Sequence, residues 1–413
     1  MTMNPKRRRA HDRLAAMPGV RSVRRPVSGT GEFDLYYIRT GPESGQSGPP
    51  LVIIPGGPGA ASVGQYRQLR RRAAAKGRSV IMVEHRGVGM SRHDDDGADL
   101  PADALTVNAA VDDIAAVLEA EGVDNAVVYG TSYGTYLAAG MGVRHPDRVH
   151  AMVLDSPLLC ADDIDEVRQA TRAALWDGTA PNTEQLAATV RKLAEDGKLT
   201  PWAERLAGGL YGLVGPEGLQ QQLDLLVAGR GLLWTAIGHG TRMLFERKTP
   251  YRHEPDLVEH IGYCELNYGP VPDGLPLDPA VAFRESATGT PDFIAEPYDL
   301  VEQMPKFDWP TAVISGGRDL ITPPAVAQRV AALIPDAHLL ELPTAGHSVL
   351  DLRERCALEV VSAVYAGTLA ELPSRAEELD RNVDLPTQLL VRGIMTARTV
   401  EALLPPIKRS FTA

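Results

Sequence analysis

Cysteine is scarce in this chain: three in 413 residues, at positions 160, 264 and 356, with no Cys-x-x-Cys pair. An odd count at such spacing excludes a disulfide framework and a thiolate zinc site. Cys160 and Cys264 could meet in space, but three free thiols are the expectation. Long apolar runs are missing too. No stretch approaches the roughly 18 residues that a spanning helix needs, so no membrane contact is expected. The amino-terminal MTMNPKRRRAHDRLAAMPGV starts basic, but His11, Asp12 and Arg13 interrupt where a signal peptide would be apolar. It reads as a cytoplasmic chain whose Lys6–Arg9 cluster is a frayed tail. Positive charge is also in deficit. Forty-two Lys and Arg stand against 53 Asp and Glu, a net charge of −11, which argues against nucleic-acid or acidic-lipid partners. Such a surface favours solubility, and it can draw in cationic groups such as a free amino terminus.

What is present is the composition of a globular protein, 44% hydrophobic and 23% charged, long enough for a large core and an insertion. Phe33 to Arg39 alternates as an edge or hairpin strand does. Leu51 to Ile54 is a compact apolar run ended by Pro55-Gly56-Gly57-Pro58-Gly59, and Ser79 to Glu84 is another, ended by His85-Arg86-Gly87. Val107, Val111, Ile114 and Leu118 recur at helical spacing before Gly122. Ala126–Tyr129 and Val149–Leu154 read as buried strands around a helix from about Tyr133 to Arg144. Continuous apolar strands separated by amphipathic helices predict an α/β fold with a mostly parallel, doubly wound sheet covered on both faces. After Pro157 the pattern turns helical until about residue 305, and strands resume at Thr311–Ser315 and Ala337–Leu342. The expected organisation is a core of 1–155 and 306–413, with 1–20 a flexible tail and 366–413 a helical extension. A mainly helical cap, 156–305, is inserted in it.

The chemistry centres on Gly130-Thr131-Ser132-Tyr133-Gly134. A Gly-x-Ser-x-Gly turn between a buried strand and a helix is a nucleophile elbow, which lifts the serine hydroxyl clear of the strand end. A hydroxyl is a weak nucleophile at neutral pH and needs a base, itself oriented by an acid. In that architecture acid and histidine follow the serine in order. Asp319, in TAVISGGRDLITPP, falls just after one strand, and His347, in HLLELPTAGHSVLD, just after the next. Ser132, Asp319 and His347 are the expected triad. The glycine loop after the first core strand supplies amides with no side chain in the way, so Gly56 and Gly57, with the Tyr133 amide, are the expected oxyanion donors. The loop lacks the Gly-Lys-Ser/Thr of a phosphate cradle. No metal and no organic cofactor is implied.

Together PGGPG, EHRGVGMS at 84–91, GTSYGT, GGRDLITPP and GHS resemble the proline iminopeptidase and tripeptidyl aminopeptidase group of α/β-hydrolases, over roughly 51–155 and 306–365. Two departures are visible: Pro55 stands where prolyl aminopeptidases commonly carry histidine, and Glu84-His85 replaces the usual Asp-Gln. The resemblance implies an α/β-hydrolase fold and release of residues from a free amino terminus, with acids of the cap holding the substrate ammonium. Glu265 in Tyr263-Cys264-Glu265-Leu266-Asn267 resembles the family's cap segment of a cysteine followed by an acid, beside the alternative of a solvated helix glutamate. Glu296 is a second choice, and the acids from Asp162 to Glu166 read as a solvated helix start. Three functions stay open: an exopeptidase acting on short peptides; an esterase, thioesterase or lactone hydrolase of a small acyl substrate; and a hydrolase-like scaffold used only for binding. The expected partner is a small molecule or short peptide, with an oligomer possible.

Overall fold

The computed structural model describes residues 3–28, 31–42, 48–287 and 292–405. Its centre is an eight-stranded sheet, β1 (Val20–Pro26), β2 (Glu32–Thr40), β3 (Leu51–Ile54), β4 (Val80–Val83), β5 (Ala126–Thr131), β6 (Val149–Asp155), β7 (Thr311–Gly316) and β8 (Ala337–Leu342), in the order β1-β2-β4-β3-β5-β6-β7-β8. β1 and β2 form an antiparallel hairpin and β2 joins β4 antiparallel; β3 to β8 are parallel. The Phe33–Arg39 strand is therefore the inner arm of a hairpin whose outer arm, β1, carries only two apolar side chains before its proline and escaped the sequence reading.

Two-sided burial explains the strand composition. Along β3, Val52 and Ile54 face one apolar layer while Leu51 and Ile53 face the other, and all four are buried. Alternate side chains of a strand point to opposite faces, so a strand covered on both sides must be apolar throughout. In chain order the first helices are α1 (Pro5–Ala15), α2 (Arg67–Ala75), α3 (Val107–Ala120) and α4 (Tyr133–Arg144). α3 and α4 cover the first layer and α2, with the helix Glu354–Ala366, the second. Between β6 and β7 the named elements are all helical, with their own apolar cluster around Leu186, Leu206, Leu210, Leu219 and Leu223. Its longest helix, Pro201–Val227, is broken at Gly215, just before Pro216. Among the described residues no helix is long and apolar enough to cross a membrane, and none of the three cysteines is in a disulfide.

The amino-terminal expectation needs correction. Residues 5–15 are not a tail but the helix α1, opened by Asn4, whose side chain accepts the Arg7 amide. Arg7 is buried: its guanidinium donates to both carboxylate oxygens of the fully buried Glu254, at 2.5 and 3.0 Å, and to the Gly89 carbonyl at 2.7 Å. Glu254 also accepts the Gly89 amide at 2.9 Å. The basic cluster thus mixes one buried arginine with solvated ones, and the partner lies 247 residues away, where no local pattern reveals it. Removing one member of a buried ion pair strands the other charge. Arg7→Met is expected to cost about 3 kcal/mol of unfolding free energy in urea, whereas a loss below ~0.5 kcal/mol would show that Glu254 is solvated from elsewhere.

Candidate active site

β5 ends in the Gly130–Gly134 turn and α4 starts at once, so the turn must reverse the chain within a few residues. Ser132 sits at φ 52° and ψ −126°, a region an L-residue holds only under strain of about 1–3 kcal/mol. The two glycines permit it. A Cβ on Gly130 would lie 2.2 Å from the Gly134 carbonyl oxygen, and one on Gly134 would lie 2.2 Å from that of Ile54. The half-buried Ser132 hydroxyl emerges at the carboxyl end of the sheet.

His347 and Asp319 converge on it. The loop after β8 brings His347 Nε2 to 2.8 Å from Ser132 Oγ, and its Nδ1 lies 2.9 Å from Asp319 Oδ2, a fully buried carboxylate in the loop after β7. Asp319 is fixed by the Ile321 and Thr322 amides on Oδ1, at 2.8 and 3.0 Å, and by the Thr322 hydroxyl on Oδ2 at 2.8 Å. A carboxylate only accepts, so Nδ1 carries the proton and the bare Nε2 faces the Ser132 hydroxyl. Burial alone would lower the His347 pKa, but the charge and hydrogen bond of Asp319 outweigh it, and Asp155 and Asp351 add to the upward shift. Burial pushes Asp319 up, and the imidazole's charge and hydrogen bonds outweigh it downward. Activity that needs neutral His347 is lost as pH falls through this raised value. The acidic limb of kcat/KM should lie above the ordinary imidazole pKa of about 6.5; a limb at or below it would show that another group controls the rate. Stability runs the other way: His347's contribution is full below its unfolded pKa and fades as pH rises through the folded one.

The glycine loop lies against the same hydroxyl. A Cβ on Gly56 would stand 3.2 Å from Ser132 Cβ, so this backbone passes over the serine at contact distance. Gly57 takes φ +144°. Neither the Gly56 nor the Gly57 amide donates to an acceptor among the described residues. Tyr133 is the first residue of α4, where an amide has no intrahelical acceptor. An anion developing beside Ser132 would find these donors free.

Glu265 ends the helix Glu259–Cys264 and is half-buried, not a solvated helix glutamate. Its Oε2 accepts the Val107 amide at the start of α3, at 3.2 Å. Burial raises its pKa, offset only by that amide, and its charge reaches the buried Tyr133 phenol. Glu296 lies in the chain between β6 and β7. Its Oε1 is buried without a hydrogen-bond partner among the described residues, and burial, with Asp163, Asp162 and Asp299, raises its pKa against a bond from the Ala161 amide. Both charges reach Tyr136 of α4. The acidic run at 162–166 is corrected at one position: Asp163 is buried and accepts the Leu159 and Cys160 amides at 2.7 and 3.1 Å.

Several neighbours were missed. Asp155, the last residue of β6, is fully buried and accepts the Val349 and Leu350 amides at 3.1 and 2.8 Å and the Tyr129 hydroxyl at 2.9 Å. It anchors the chain just beyond His347, and burial pushes its pKa up to about 6. An acid closing an apolar strand was the available signal. His85 stands edge-on to the Tyr133 ring, centroids 6.4 Å apart, with both nitrogens unpartnered among the described residues and its pKa pushed down to about 4 by burial. It is a neutral wall. Glu84 is fully buried and accepts the Ser62, Val63 and Met90 amides, tying the chain a few residues after the glycine loop to the end of β4.

The comparisons with known proteins bear on the fold. Residues 49–205 match the family model for the alpha/beta hydrolase fold. The chain has the α/β-hydrolase fold. It is 32% identical over 116 residues to a proline iminopeptidase of Heyndrickxia coagulans, covering 28% of this chain and 37% of that one. It is 35% identical over 119 residues to a 2-hydroxymuconate semialdehyde hydrolase of Pseudomonas sp. (strain CF600), covering 28% and 39%. These alignments span under two-fifths of either relative. A solved proline iminopeptidase of Mycobacterium smegmatis superposes with a TM-score of 0.53 at 22% identity, over 85% of this chain and 99% of its own, a likeness of fold.

Proposed function

We propose that this hydrolase removes residues from the free amino terminus of short peptides or aminoacyl amides. In this reading Ser132 attacks the scissile carbonyl while His347 takes its proton. The Gly56, Gly57 and Tyr133 amides hold the oxyanion, and His347 returns the proton to the departing amine, leaving an acyl-enzyme that water hydrolyses. Asp319 keeps the imidazole in the productive tautomer. The observation that carries the substrate assignment is Glu265, a half-buried carboxylate near Tyr133 with no cationic partner within salt-bridge distance among the described residues. A carboxylate held above its ordinary pKa by burial gains most from an arriving ammonium, which forms a charge-assisted bond in a poorly solvated cleft. Glu296, with one buried oxygen unpartnered among the described residues, offers a second acceptor. The helices between β6 and β7 would act as a cap that admits short substrates.

The alternative, hydrolysis of a small acyl ester, thioester or lactone, uses the same atoms at Ser132 and differs only in what the carboxylates meet. The test is a panel of aminoacyl and tripeptidyl amides, their N-blocked forms, and short acyl esters. The expected result is turnover of free-amine amides and none of the blocked ones. Glu265→Gln should raise KM for amine-bearing substrates about tenfold, the ~1.4 kcal/mol of a weakened charge-assisted bond, and leave esters unchanged. Equal turnover of blocked and free substrates would reject the exopeptidase.

A further inference from the structure

Behind the loops that carry Asp319 and His347 lies a cavity of about 380 Å³ with a basic lining. Among the described residues four arginines face it, Arg318, Arg353, Arg381 and Arg392, and no Asp or Glu does. In a chain of net charge −11, four guanidiniums around one space are not accounted for by composition. Their pairing is uneven. Arg353 is neutralised by Asp380 at 2.8 Å and also donates to the Thr344 hydroxyl at 2.9 Å. Arg381 meets Glu377 at 3.4 Å, both highly exposed, a contact worth little in water. Arg318 and Arg392 have no acidic partner within 4 Å among the described residues.

Three parts of the fold supply this lining. Arg318 precedes Asp319 in the loop after β7. Its amide donates to the Ala345 carbonyl of the His347 loop at 2.9 Å, and its guanidinium packs against Gly215, where the helix Pro201–Val227 breaks. Arg392 comes from the helix Leu385–Leu403. Thr387 and Gln388 of that helix add polar groups, and Leu213, Val214 and Val391 add apolar wall. Like charges brought together are costly unless an anion joins them, and planar guanidiniums match the oxygens of carboxylates and phosphates. The volume suits a small molecule.

We propose that this cavity binds a small, multiply charged oxyanion, phosphate or polycarboxylate, at a site separate from Ser132. The charged end would lie between Arg318 and Arg392 and the remainder against the apolar wall.

Calorimetric titration with pyrophosphate and with citrate, at constant ionic strength set by chloride, tests it. One saturable site per chain is expected for at least one anion. Preference for pyrophosphate would mark the natural ligand as phosphorylated, preference for citrate as a polycarboxylate. Arg392→Gln changes an exposed side chain and leaves the fold intact; it and Arg318→Gln should each weaken binding at least tenfold. Lys306→Gln, at the exposed Lys306–Glu302 pair, should not alter it. Protein whose Ser132 has been blocked by a fluorophosphonate should bind as before, which keeps this outcome independent of the exopeptidase reading. No saturable binding of either anion, unchanged binding by Arg392→Gln, or loss of binding on blocking Ser132 would each overturn the proposal.

Discussion

Ser132→Ala is expected to lower turnover by about 10⁴- to 10⁶-fold, the loss found when the nucleophile of such a unit is removed, and to abolish labelling by a fluorophosphonate. The hydroxyl is the atom that would bond to the acyl group, and neither the imidazole nor the glycine loop can replace it in an acyl-enzyme. Because residual catalysis over water comes from oriented amides and binding, the variant should keep KM within a few-fold. Its stability should rise or stay level: the strained φ of Ser132 remains, but a polar group no longer has to be held against the imidazole. A variant that still labels, or that keeps more than about 1% of the activity, would place the nucleophile elsewhere and would revive the reading of a scaffold used only for binding.

How much of this was legible in advance depends on the range of the signal. The strands from β3 to β7 announce themselves, because burial on both faces demands mostly apolar residues. β8 is a more polar edge strand that is still apolar at Leu339, Leu340 and Leu342, and the elbow is a local motif whose glycines are forced by contacts under 3 Å. Asp319 and His347 could be located because each closes a strand of recognisable composition, and the parallel sheet brings those strand ends together. Other features depend on partners far away in sequence. Arg7 looks like one of several solvated arginines until Glu254 folds onto it. β1, with Arg21, Arg24 and Arg25 along it, does not read as a strand at all. Glu265 could be named, but not that its carboxylate would sit on the Val107 amide, since that depends on how the inserted helices lie on α3. The arginine cavity is the extreme case, assembled from segments around residues 212, 318, 346 and 392 that share no motif.

Asp319→Asn is expected to lower kcat by about 10⁴-fold with little loss of fold, and the hydrogen bonds say why. Oδ1 of Asp319 receives the Ile321 and Thr322 amides, while Oδ2 faces His347 Nδ1 and the Thr322 hydroxyl. An asparagine keeps the first pair only by presenting its oxygen to the two amides, which turns its NH₂ toward His347. Nδ1 must then accept instead of donate, so the imidazole proton moves to Nε2, and the nitrogen facing Ser132 can no longer take the hydroxyl proton. The upward shift of the His347 pKa is lost with the carboxylate, so the acidic limb of the rate profile should move down in pH even as the rate collapses. Asp155→Asn is the informative counterpart. That carboxylate is equally buried, but it holds Val349 and Leu350, not the imidazole. Its replacement should be felt first in thermal stability and only modestly in the pH profile. A large rate loss from Asp155→Asn with a small one from Asp319→Asn would reverse the assignment of the orienting acid, moving it from the end of β7 to the end of β6.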